Sequence, residues 1–188
     1  MSTTSGTTSA KTALSRTIVM GAVAGLIGSL AMAMFAMIAA LTYQGTGFFT
    51  PLYHIASVFI DPSTMMTSMQ QAMGGGSFSF SFGSALVGVV VHMMVGVMYG
   101  IVFAFIVKAI KVRGPMLLLA GVIYGAIVFV VSAWVGLPIA ASIFSSGDQI
   151  ADMATMVGYS TFAAEHLLFG LVAAAVLVGA GSRAAARH

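Results

Sequence analysis

Residues 84–104 read SALVGVVVHMMVGVMYGIVFA, an unbroken apolar run with one histidine in it. Ser84, Gly88, His92, Gly96, Gly100 and Ala104 recur every fourth residue. Positions four apart share a helix face, so the spacing predicts a helix with a stripe of small residues and a histidine set into it. Such stripes let helices approach closely in lipid, where no hydrophobic effect drives them together. An ionisable group inside a span of this kind is a functional candidate.

The rest of the chain has the same character. Of 188 residues, 60% are hydrophobic and 6% charged, and the mean hydropathy is +1.08. Soluble domains carry about 25% charged residues, so the composition predicts an integral membrane protein. Cysteine is absent, which excludes disulfides, thiolate metal sites and thiol nucleophiles. No basic run interleaves with aromatics, which sets nucleic-acid binding aside.

Crossing a hydrocarbon core takes about 20 residues. Four segments suffice: Thr17–Tyr43, Phe82–Val107, Pro115–Leu137 and Tyr159–Ala180. The first exceeds a signal-peptide core of about 7–15 residues and reads as an uncleaved span. The fold expected is an all-α four-helix membrane bundle over 15–181, with a disordered polar tail at 1–14 and a basic tail at 182–188. Lys11, Arg16, Lys108, Lys111, Arg113, Arg183 and Arg187 all fall on one side, and Asp61, Asp148 and Asp152 on the other. The positive-inside rule then places both termini on the cytoplasmic side.

Small-residue pairs recur in the spans: Gly21 with Gly25, Gly96 with Gly100, Gly121 with Gly125, and Gly170 with Ala174. Gly88, Gly96, Gly100, Gly121, Gly125 and Gly170 are therefore the expected packing positions. Two halves, 15–108 and 114–181, also resemble each other. Ala24-Gly25-Leu26-Ile27 echoes Ala120-Gly121-Val122-Ile123, and Ala56-Ser57-Val58-Phe59 echoes Ala141-Ser142-Ile143-Phe144. His92-Met93-Met94-Val95-Gly96 likewise echoes His166-Leu167-Leu168-Phe169-Gly170. Two span–loop–span repeats would be related by an axis along the membrane normal.

The outer loops carry their own signals. Asp61 and Pro62 open a short helix with Met65, Met69 and Met73 in a stripe, predicted to lie on the membrane surface. Asp148 is expected to cap its counterpart, which carries Met153 and Met156. Phe78, Phe80 and Phe82 alternate with serines, the period of an extended segment with one greasy face. Tyr43, Phe48, Phe49, Tyr53, Trp134 and Tyr159 form an expected interfacial belt. Gly136-Leu137-Pro138 reads as the end of the third span.

His92 and His166, at equivalent repeat positions, are the candidate site, with Glu165 beside them. They admit three readings. Two facing imidazoles can ligate the iron of haem b, the small residues making room for the macrocycle. They can hold a metal ion or relay protons with Glu165 as a third group. Or each imidazole bonds a neighbouring helix's carbonyl or hydroxyl and fixes packing. The 15 methionines raise a Cu(I) reading, set against their ordinary role as flexible apolar filler. Phosphate loops and nucleophile triads are absent, so no enzyme is expected.

The second half resembles the YagU-like family of bacterial inner-membrane proteins. The resemblance rests on Tyr99-Gly100-Ile101-Val102-Phe103-Ala104 before a basic turn, Leu119-Ala120-Gly121-Val122-Ile123-Tyr124-Gly125, Val135-Gly136-Leu137-Pro138 and Glu165-His166-Leu167-Leu168-Phe169. It spans roughly residues 82–181, with His92 matching a family histidine and Val128 standing where another is expected. It implies a small inner-membrane protein associated with acid tolerance and assigns the histidines no role. The expected partners are the lipid bilayer and either further copies of the chain or a larger membrane complex.

Overall fold

The computed structural model describes residues 4–185, with side chains over 11–181. The order is α1 (Thr4–Thr42), α2 (Thr50–Ala56), α3 (Ser63–Met73), α4 (Phe82–Ile110), α5 (Met116–Val131), a π-helical turn (Ser132–Gly136), α6 (Leu137–Phe144), α7 (Asp148–Ala151), α8 (Met153–Val157) and α9 (Tyr159–Ala185). No strand occurs among the described residues. Four stretches are long and apolar enough to cross a membrane: Lys11–Thr42, Phe82–Ile110, Met116–Phe144 and Tyr159–Gly181. The chain is thus a four-helix bundle of multi-pass membrane type. Its outward surface is aliphatic and aromatic (Leu30, Met94, Met98, Ile123 and Ile127 are all about half exposed or more), as lipid contact requires.

Three helix pairs close tightly, α1 with α4, α1 with α9, and α5 with α9. Glycine explains two of them. A β-carbon on Gly25 or Gly100 would run into the facing backbone between α1 and α4, and one on Gly121, Gly125 or Gly170 into that between α5 and α9. Backbone therefore lies on backbone, and dispersion contacts hold the helices. Gly88 abuts the Leu52 carbonyl, and Gly96 abuts Ser29. In the third pair, Gly28 receives the Phe169 ring. The position equivalent to Gly28 in the second half is Tyr124. Its ring stacks on Phe103 of α4 at 4.7 Å, and its hydroxyl donates to the Tyr99 carbonyl at 2.7 Å. Tyr124 is thus the side chain that ties α5 to α4.

The structure revises several sequence expectations. α1 begins at Thr4, so the polar stretch assigned to a disordered tail is helical from there; Met1–Thr3 lie outside the described residues. Ser182–Ala185 of the basic tail continue α9, and 186–188 also lie outside. The third span does not stop at Leu137 but runs on to Phe144. Pro138 offers no N–H and crowds the carbonyl one turn back; the wider turn accommodates it, with the Leu137 N–H reaching the Ser132 carbonyl. The second span ends at Lys111, whose φ of 56° breaks the helix, and Gly114 takes φ 62° in the turn before Pro115.

The end opposite the basic residues is capped by α2, α3 and α6–α8. Asp61 stands one residue before the N-cap of α3, which is Pro62 and not Asp61 as expected; it accepts the Ser63 N–H at 2.9 Å, and hydrogen bonds from the Ser63 hydroxyl and N–H hold its carboxyl below the usual range. Asp148 makes no such bond at α7. Met65 is buried with Met37, Leu52, Tyr53 and Ala85, Met69 packing beside them, while Met73 is exposed; the methionine stripe faces the core at one end and solvent at the other. Tyr53 leaves the expected belt and is only 2% exposed. Its hydroxyl donates to the Ser79 carbonyl at 2.9 Å and accepts the Ser81 N–H at 2.8 Å, and burial raises its pKa. Phe78, Phe80 and Phe82 stay exposed, with Phe78 and Phe80 against Phe48 and Phe49. Trp134 and Tyr159 stack at 5.4 Å.

Candidate functional site

The α1–α4 contact that buries Gly25 and Gly96 also places His92 beside α1. Its Nε2 lies 3.0 Å from the Ser29 carbonyl. A carbonyl only accepts, so Nε2 carries the proton and Nδ1 keeps its lone pair. This is the interhelical bond of the packing reading. His166 differs. Its Nδ1–H donates to the Phe162 carbonyl on its own helix at 2.6 Å, which leaves the lone pair on Nε2. The ring sits between Phe162, at 4.4 Å, and Phe129, at 6.2 Å. Each imidazole thus bonds one backbone carbonyl through one ring nitrogen, His92 across to α1 and His166 within α9.

Glu165 occupies another face of α9, about 100° from His166. It lies midway between Thr161, bonded to Tyr43 just past α1, and Phe169, seated on Gly28 of α1. Residues four apart share a face, so Glu165 faces α1 as they do. Between Ser29 and Thr42, α1 carries no polar side chain. Glu165 is 5% exposed, and no hydrogen bond or ion pair among the described residues reaches its carboxyl. A buried polar group without a partner is costly, and such groups concentrate at functional sites.

The haem reading fails a test of space. The glycines invoked as room for a macrocycle are filled by facing helices: Gly96 by Ser29, Gly100 by Gly21 and Gly25, Gly125 by His166 and Leu167. The room that reading drew on is therefore taken up by helix contacts. Among the described residues, no three His, Asp or Glu side chains converge to hold a metal ion, so Glu165 does not join the imidazoles as a third ligand.

Sequence reasoning passed over the cap contacts that join the two halves. His54 is buried, and its Nε2–H donates to the Gln149 carbonyl at 2.6 Å. Gln44 donates to the Val157 carbonyl at 2.8 Å. Phe59 and Phe144, the last residues of the repeated Ala-Ser-x-Phe motif, meet at 4.7 Å. Only that motif hinted at any of these. No family model, curated protein or solved structure matches the chain.

Proposed function

We propose that this is a small non-enzymatic protein of a bacterial or archaeal inner membrane, with both termini cytoplasmic, that responds to acidity through Glu165, His166 and His92. The observation that carries the reading is Glu165, buried without a hydrogen-bond partner among the described residues and one residue from the His166 imidazole. A group so placed changes the charge of the bundle interior whenever it gains or loses a proton. The resemblance to YagU-like proteins at Glu165-His166 points the same way.

Orientation rests on the gathering of Lys11, Arg16, Lys108, Lys111 and Arg113 at one end, by the positive-inside rule. The tandem-repeat origin is supported by the like use of Gly25 with Gly96 and of Gly121 with Gly170, and by the Phe59–Phe144 contact. Association with further copies or a larger complex would use the exposed aliphatic surface, which includes Leu30, Met94 and Ile127.

The test is the pH dependence of thermal unfolding of the purified protein in lipid nanodiscs. E165Q removes a large part of that dependence if the reading holds; identical profiles for wild type and E165Q would sink it. Reduced-minus-oxidised spectra and metal analysis of the same samples check the haem, metal and copper readings.

A further inference from the structure

Tyr43 is 64% exposed at the capped end, and its hydroxyl lies 3.0 Å from Thr161 Oγ1. Thr161 is buried at 7% exposure and stands one turn from Glu165 on the same face of α9. Side chains so spaced are about 5–6 Å apart at Cβ, a gap that one carboxyl rotation or a bridging water spans. Gln44 pins the same turn through the Val157 carbonyl. No other polar side chain stands on this line: α1 is apolar from Leu30 to Leu41, and inward of Glu165 the stripe continues with Phe169 and Ala173.

We infer that Tyr43 and Thr161 form the entrance through which Glu165 exchanges protons with the capped side. The inference rests on the reading of Glu165 as a protonating group and adds its route. A proton from water passes to the Tyr43 hydroxyl as that hydroxyl gives its own to Thr161 Oγ1. Thr161 in turn releases one toward a Glu165 carboxylate oxygen, forming its O–H bond. Each hydroxyl gains and loses one proton, no electron moves, and the reverse sequence discharges the site. Among residues with described side chains, the other titratable groups on α9 and the elements packed against it are His166, Tyr159, Tyr124 and, before α8, the exposed Asp152; His92 stands across the bundle, and Lys11 and Arg16 sit at the far end of α1, the end toward which α9 also runs to Arg183. None lies between Tyr43 and Glu165.

The experiment is infrared hydrogen–deuterium exchange on the full chain in nanodiscs, at the lowest pH where it stays folded. The protonated Glu165 carboxyl is identified as the carbonyl band missing in E165Q. Y43F and T161V are expected to slow its exchange by about tenfold or more, the scale of removing one hydrogen-bonded hydroxyl. T155V, which removes a neighbouring pair, Thr155 with Tyr159, keeps the wild-type rate. The pH profile of unfolding stays unchanged in Y43F, since a route alters rate and not equilibrium. Tyr43 is exposed, so Y43F decides the matter even if T161V folds poorly. Wild-type exchange in Y43F, or equal slowing in T155V, overturns the route while leaving Glu165 as the protonating group. A spectrum in which E165Q loses no band overturns both.

Discussion

A β-carbon on Gly125 would run into the carbonyl oxygen of His166. The helix contact and the candidate site are therefore one construction: α5 approaches α9 closely only because residue 125 has no side chain, and that approach fixes the backbone bearing Glu165 and His166.

G125A accordingly forces α5 and α9 apart, and overpacking of this kind costs about 1–3 kcal/mol. The shift also disturbs the pH profile of unfolding. G179A is the control. Its β-carbon meets nothing within 4 Å, and replacing a helical glycine by alanine stabilises by about 0.5–1 kcal/mol. Equal melting temperatures for the two variants would show that the glycine contact does not hold the pair.

Tyr53 closes the cap by pairing the Ser79 carbonyl and the Ser81 N–H at the start of α4. Y53F keeps the packing and leaves both backbone groups unpaired, a loss of about 1–3 kcal/mol. Amide hydrogen exchange at Ser81 should accelerate while exchange in the middle of α4 does not. Uniform acceleration along α4 would point instead to loss of packing.

What could be read in advance followed from chemistry that local spacing records. A span shows itself by length and apolarity, and a close helix contact by glycines four apart, so the four spans and their packing positions were legible. The π turn was not, because Pro138 after Gly136 looks the same in sequence whether the helix stops or widens. Of the candidate site, the burial of its residues in the spans was legible and their relationships were not: His166 bonds its own helix, and Glu165 faces α1 and not the imidazoles. The bond from His54 to Gln149 joins residues 95 apart, and no periodicity reports such a contact.

Burial holds the His54 imidazole below its ordinary value, against the raising effect of its bond to Gln149. The unfolded chain, with histidine near pKa 6.5, thus takes up a proton here before the folded one does. Stability falls as pH drops below about 6.5 and levels off once folded His54 is protonated too. H54Q keeps an N–H for the Gln149 carbonyl and does not titrate. Its melting temperature should decline less than that of wild type between about pH 7 and pH 5. Parallel curves would place the acid sensitivity elsewhere.

The π turn gives the last prediction, through the chain's one tryptophan. Pro138 cannot bond the Trp134 carbonyl, and the widened turn that carries the chain past it leaves the Trp134 ring flat against Tyr159, 4° from parallel. P138A restores the missing N–H and removes the ring that crowds that carbonyl. The turn then tightens to α geometry. Because α6 stays anchored by Ala141 against Ile150 and Met153, the adjustment appears as a rotation of Trp134, about 100° if one full residue is taken up. Trp134 emission should change while helix content by circular dichroism stays constant. Unchanged emission would mean that packing against α7–α9, and not the proline, sets the turn.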